Sequence, residues 1–189
     1  MKKQNVCSLI VLSAVLLTLV MGCKFGSANS SDYANEADKF SIAFPGGAEG
    51  VKTETSSVKY AKSARSYSKF LDNKTPQFRS YGVQVLDIED FQTAGKSEPE
   101  IRAIALNGWD KEKDTFVNEN LIVQGRKGTD SLRTITVGSV SMTFRDVVFY
   151  SEADKKLYVV KIAASKKENA VSSEAMDFVN SFKLSKGWF

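Results

Sequence analysis

SLRTITVGSVSMTFRDVVFYS (Ser131–Ser151) is the stretch that decides the fold class, because it reads as two strands folded back on each other. Val140, Met142 and Phe144 alternate with Ser141, Thr143 and Arg145, the period-two pattern of a strand with one wet face. Gly138-Ser139 divides the two halves and suits a two-residue turn with positive φ at the glycine. A polar turn, Glu152–Lys155, then leads into KLYVVKIAA (Lys156–Ala164), a further strand. Antiparallel β-structure is therefore expected in the second half of the chain.

Working outward, FRSYGVQVLDI (Phe78–Ile88) puts Tyr81, Val83 and Val85 on one face of another strand. FSIAF (Phe40–Phe44) alternates in the same way and is stopped by Pro45-Gly46-Gly47. The segment 51–71 carries two signals. Tyr60, Ala64, Tyr67 and Leu71 fit a helical stripe, whereas Thr53, Thr55, Ser56 and Ser57 favour extended backbone, and the segment is read as mostly strand. Two helices are expected. Ser97-Glu98-Pro99-Glu100 is a capping box with proline in the first turn, ahead of Ile101, Ile104, Ala105 and Trp109 on one face. Glu112 falls on that same stripe, so this helix should stop near Asn107-Gly108. At the C-terminus Val171, Ala175, Phe178, Val179 and Phe182 share a stripe and should be core.

The beginning of the chain reads differently. Lys2 and Lys3 precede an apolar run, Val6–Met21, too short for a full span of roughly 20 residues but suited to a secretory leader. It ends in Val20-Met21-Gly22-Cys23, which resembles a bacterial lipobox: small Gly22 precedes the cut, and the Cys23 thiol takes a diacylglycerol. Lys24–Asp38 is rich in Gly, Ser, Ala and Asn, a tether reaching roughly 20 Å on average. The expected organisation is a lipoprotein signal peptide over 1–22, lipidated Cys23 and a tether over 23–38, and an α+β domain over 39–189. Lys24 rather than Asp follows the cysteine, which in a Gram-negative cell points to the periplasmic face of the outer membrane.

Composition removes several kinds of chemistry. The 189 residues include no histidine, which excludes a Ser–His–Asp triad, a Cys–His pair and imidazole-bound metal. Only Cys23 survives loss of the leader, so neither an internal disulfide nor a thiolate zinc cage is available. The formal charge falls from +4 to +2, because Lys2 and Lys3 leave with the leader and no acid does. Nucleic acid is therefore not an expected partner.

FSIAFPGG, GRKGTDSLRTI, TFRDVVFYSEADKKLYVVKIAA and FVNSFKL together resemble the PsbP-like superfamily, which includes bacterial DcrB-like lipoproteins; the resemblance spans about Lys39–Leu184. It implies an antiparallel sheet flanked by helices in an α/β/α sandwich. It also implies accessory or binding roles without catalysis. Histidine-based metal sites of photosynthetic members have no counterpart here.

Candidate sites are few. Lys59, Lys62, Arg65 and Lys69, with Lys74 and Arg79 beyond, surround Tyr60, Tyr67 and Phe70 and form a possible contact for anionic headgroups or an acidic partner. Lysines guarding a strand edge are the plainer account. Asp87, Glu89 and Asp90 cluster at a strand end, where a solvated loop competes with a hard-cation site. Gly95-Lys96-Ser97 lacks the glycine five residues earlier that a phosphate loop needs, since Asp90 stands there. Asn29 and Asn73 fit glycosylation sequons that bacterial export leaves unmodified, and Trp188-Phe189 is an apolar tail. The expectation is a lipid-anchored cell-envelope protein with a non-catalytic binding or accessory role. It meets the membrane through its N-terminal lipid, binds a protein or envelope partner, and uses no cofactor. A carrier of lipid or a small apolar ligand is the alternative.

Overall fold

The computed structural model describes residues 32–58, 60–72, 77–106 and 116–185. The chain runs β1 (Asp32–Asn35), β2 (Phe40–Ala43), β3 (Lys52–Val58), β4 (Ala61–Asp72) and β5 (Arg79–Asp87), then α1 (Asp90–Thr93) and α2 (Glu98–Ala105). It continues with β6 (Phe116–Val123), β7 (Arg126–Val137), β8 (Val140–Ser151) and β9 (Lys156–Ala164), then α3 (Lys167–Ala170), α4 (Ser173–Asn180) and β10 (Lys183–Leu184).

Seven strands form one antiparallel sheet in the order β3-β4-β5-β9-β8-β7-β6, and β1-β2-β10 form a second. The large sheet is two meanders zipped together, β3-β4-β5 and β6-β7-β8-β9, joined where Arg79–Asp87 pairs with Lys156–Ala164. That seam is the centre of the sheet, and its residues are the most apolar because both faces are covered. On the inner face Tyr81, Val83, Val85, Tyr158, Val160 and Ile162 pack against Phe40 and Ile42 of the small sheet and Phe178 and Val179 of α4. On the outer face Leu86, Leu157, Val159 and Val148 pack against Ile101 of α2. The edge strand β3, KTETSSV, is mostly exposed and correspondingly polar.

The turns follow from glycine chemistry. Gly138 takes φ +62° between paired Val137 and Val140, as the sequence predicts. Gln124 and Gly125 take φ 50° and 76° between paired Val123 and Arg126, a two-residue turn with both central residues left-handed. We call the end of the large sheet that holds Arg79, Ala164 and Thr143 the upper end. Asp87, Lys156 and Ser151 lie at the lower end.

The expected α/β/α sandwich is not what forms; the chain is mostly β-sheet, with few helices. The reason is length. A helix of 8 residues, such as α2 or α4, is about 12 Å long, whereas seven strands span roughly 30 Å across. Neither helical stripe can form a layer over such a sheet, and much of the inner face is closed by the small sheet instead. Phe182 is buried beyond the end of α4, while Val171 precedes the helix and is exposed. The segment 51–71 is the β3-β4 hairpin. Residues 32–38, expected within the tether, form β1 and the turn into β2.

Candidate functional site

The densest set of ionisable side chains lies at the lower end of the inner face, where the turn before β2 meets β4, β5 and β9. Asp38 stands one residue ahead of Lys39, whose φ of 54° turns the chain back into β2. Its backbone is fixed at both ends, the N–H donating to Asn35 Oδ1 at 2.8 Å and the carbonyl accepting from Tyr158 Oη at 2.9 Å. Its carboxylate is fully committed. Oδ1 accepts from Arg65 Nη2 and Lys156 Nζ, both at 2.7 Å, and Oδ2 accepts from Arg65 Nε at 2.7 Å and Tyr67 Oη at 2.6 Å. Arg65 reaches further, to Asp87 Oδ2 and Ser63 Oγ, each at 2.7 Å, and Ser63 also donates to Asp87.

Strand alternation explains the gathering: Ser63, Arg65 and Tyr67 share the inner face of β4, and Asp87 and Lys156 are directly paired across β5 and β9. Two cations meet two carboxylates, so the cluster is neutral. Burial alone would push the Asp38 carboxyl up, but hydrogen bonds from Arg65, Lys156 and Tyr67 hold it down at about 2. Asp87 is likewise held below its usual range, burial being outweighed by Arg65 and Ser63. Tyr67 moves the other way, because burial and the Asp38 carboxylate disfavour its phenolate. Every member is hydrogen-bonded to another within the cluster. The cluster fastens the small sheet to the large one.

A second buried pair lies on the inner face at β7 and β8. Arg145 Nε and Nη2 donate to Asp130 Oδ1 and Oδ2 at 2.9 and 2.6 Å. On the outer face Arg102, the largest fully buried side chain among the described residues, donates to Thr129 Oγ1 at 2.9 Å and to Glu98 at 2.5 Å.

The structure divides the basic segment expected between β3 and β5. Lys62 is exposed and alternates to the face opposite Arg65 and Lys69. Arg65 is spent on Asp38 and Asp87, and Lys69 Nζ donates to the carbonyls of Gly46 and Gly47 at 3.0 and 2.6 Å. Arg79 pairs with Asp72 and Glu174. Cys23, Lys59, Lys74, Asn29, Asn73 and Trp188-Phe189 lie outside the described residues. Asp87, Glu89 and Asp90 do not converge: Asp87 faces Arg65, Glu89 caps α1, and Asp90 is 3.7 Å from Lys155. Among the described residues no group of three His, Cys, Asp or Glu is placed to hold a metal ion. Ser97 is a helix cap, its N–H and Oγ both donating to Glu100 Oε2.

Two open grooves of about 580 and 600 Å³ lie elsewhere. One runs between α1 and the β8-β9 turn, past Lys96, Tyr150 and Lys155, and the other between Pro45-Gly46-Gly47 and α4. Both have mixed polar and apolar walls. The space between sheet and α4 is filled: Phe182 stacks on Phe149 at 5.0 Å between ring centres, and Phe178 meets Tyr81 and Phe44 at 5.2 Å.

No protein-family model matches the chain, and no curated protein does. A crystal structure from Bacteroides thetaiotaomicron VPI-5482 superposes with a TM-score of 0.49 at 8% identity, over 82% of this chain and 48% of that one. The chain thus spans about half the length of that protein. Sequence reasoning missed Asp38, which stood in a polar stretch next to a clear strand and whose carboxylate partners are 27 to 118 residues away.

Proposed function

We propose that this protein is a lipid-anchored component of a bacterial cell envelope with a binding or accessory role and no catalytic activity. One observation carries the reading: the apolar run of the leader ends at Gly22-Cys23, and nine residues later the chain enters β1 at Asp32. A lipid on Cys23 would therefore hold the domain close to a bilayer. Among the described residues no helix is long and apolar enough to cross a membrane, so attachment falls to the N-terminus in this reading. The saturated clusters around Asp38 and Arg145 support the non-catalytic half, since their charges serve one another. The PsbP-like resemblance supports an accessory role, without the layering it implied. A carrier role is not favoured, because aromatic rings fill the space between sheet and helix.

The decisive experiment is mass spectrometry of the membrane-derived protein with and without Cys23→Ala. The reading expects a mature chain beginning at an acylated Cys23 and loss of that species in the variant. A mature N-terminus elsewhere, or unmodified Cys23 in membrane-derived protein, overturns it.

A further inference from the structure

The β7-β8 hairpin outruns its neighbours. β9 stops opposite Thr143, and among the described residues β6 pairing reaches Leu132. Beyond those points, among the described residues, the two strands pair with each other alone, through Ile135 and Met142 to Val137 and Val140. Three residues of β8 past Thr143 carry this arm about 10 Å beyond the upper end of the sheet.

The arm is chemically unusual for a protruding hairpin. TITVGSVSMTF, residues 134–144, contains no charged residue. One side presents Ile135 opposite Met142, with Val140 at 44% exposure beside the turn. The other side carries hydroxyls that satisfy each other, Thr134 with Thr143 at 2.9 Å and Thr136 with Ser141 at 2.8 Å. Paired hydroxyls cost less to take out of water than free ones. Arg133, stacked over the Phe144 ring at 5.4 Å, marks the base of the arm.

The chain's point of entry lies at this same end. The chain rises through β2 from Phe40, packed against Tyr158, to Phe44 just past the strand, packed against Phe178, which in turn packs on Tyr81 near the upper end. β1 is antiparallel to it and puts Asp32 opposite Ala43. The first described residue of the chain, Asp32, thus lies at the upper end of the large sheet.

We propose that the tip of this hairpin, Ile135–Met142, is a second membrane contact that seats in the headgroup and upper acyl region of the bilayer carrying the lipid anchor. This rests on the anchor reading above. The depth is limited to the interface, because the outer backbone edge of β8 past Thr143 has no partner among the described residues and would not be tolerated in hydrocarbon. Charge does not drive the contact: at this end Lys69, Arg79, Lys166 and Lys167 stand against Asp32, Asp72, Glu168 and Glu174. The contact therefore serves zwitterionic lipid as well as anionic lipid.

The test uses the full-length chain purified from membranes and reconstituted into phosphatidylcholine vesicles. An environment-sensitive fluorophore is placed at Val140→Cys, at Ser139→Cys, or at Glu152→Cys in the β8-β9 turn at the far end. Nitroxide-bearing phosphatidylcholine should quench the Val140 and Ser139 labels several-fold and leave the Glu152 label unchanged. Adding Val140→Asp should abolish quenching of the Ser139 label without unfolding the domain, since the tip is already exposed. Equal, weak quenching at Val140 and Glu152 in an anchored chain overturns the proposal. So does a Val140 label shielded from aqueous iodide but untouched by lipid nitroxide, which would mark a protein partner. A wild-type chain that takes up the label at Cys23 and stays out of the vesicles sinks the anchor reading, and this one falls with it.

Discussion

Arg65 grips Asp38 at two points, Nε to Oδ2 and Nη2 to Oδ1, each at 2.7 Å, and so locks the turn before β2 onto β4. Both carboxylate oxygens are used, and the Asp38 side chain is only 3% exposed. Removing the charge leaves Arg65 and Lys156 facing a neutral amide with half the acceptor capacity. Asp38→Asn should therefore cost about 3 kcal/mol of stability, as expected when one partner of a buried ion pair is lost. Urea unfolding at neutral pH measures it. A loss below about 1 kcal/mol would mean that the cluster is ornamental to stability.

The same carboxylate sets an acid limb. Its folded value of about 2 lies below the unfolded value of roughly 3.9, so its contribution is complete above about pH 4 and disappears as pH falls through about 2. Asp87 acts in the same direction. Asp146 opposes it: burial pushes its carboxyl up, so its ionised form costs stability above the unfolded value and protonation relieves that cost. The clean measurement is the stability gap between wild type and Asp38→Asn as a function of pH. It should narrow by about 2 kcal/mol between pH 4 and pH 2. A gap that stays constant over that window would show that the Asp38 charge is not what the variant lost.

The sequence shows the strands plainly where one side chain in two is buried, as at Tyr81, Val83 and Val85, and in KLYVVKIAA, where both faces are covered. It misleads about the layers, because an amphipathic stripe reports which face of a helix is buried and not how much sheet that helix covers. Ala175, Phe178 and Val179 are buried as the stripe predicts, yet α4 spans only 8 residues. β1 is illegible because DYAN has one large apolar residue and its pairing is decided by β2. The Asp38 cluster is illegible for a related reason: its members are ordinary one by one, and only the register of β4, β5 and β9 puts them on one face at one end. The basic segment shows the converse. Lys62, Arg65 and Lys69 are close in sequence, yet strand alternation sends Lys62 to one face and Arg65 and Lys69 to the other.

Gly128 is required by a close approach. A methyl group built there would lie 2.7 Å from Phe149 Cε1 and 3.0 Å from Cδ1. That ring is 1% exposed and stacks on Phe182, so it has nowhere to retreat without moving its neighbour. Gly128→Ala should lower stability by about 1–3 kcal/mol, the usual cost of overfilling a packed core. Adding Phe149→Leu should recover part of that loss, because the smaller side chain vacates the space. If Gly128→Ala and Phe149→Leu are strictly additive in chemical denaturation, the clash is not the cause.

Asp130 and Arg145 allow a sharper test of what buried charge does here. Their two hydrogen bonds run at 2.6 and 2.9 Å, and the side chains are 9% and 7% exposed. The pair has already lost its water, so each partner depends on the other. Asp130→Asn should cost about 3–5 kcal/mol, since the guanidinium is left buried beside a neutral amide. Replacing both, with Asp130→Leu and Arg145→Met, removes the desolvation cost together with the attraction. The Met176 thioether, whose Sδ lies 2.7 Å from Arg145 Nη1, then gains an apolar neighbour. The double variant should therefore be markedly more stable than Asp130→Asn, and close to wild type. Thermal and urea unfolding of the three proteins decide it. A double variant as unstable as Asp130→Asn would mean that β7 and β8 need the charge pair itself to hold their register.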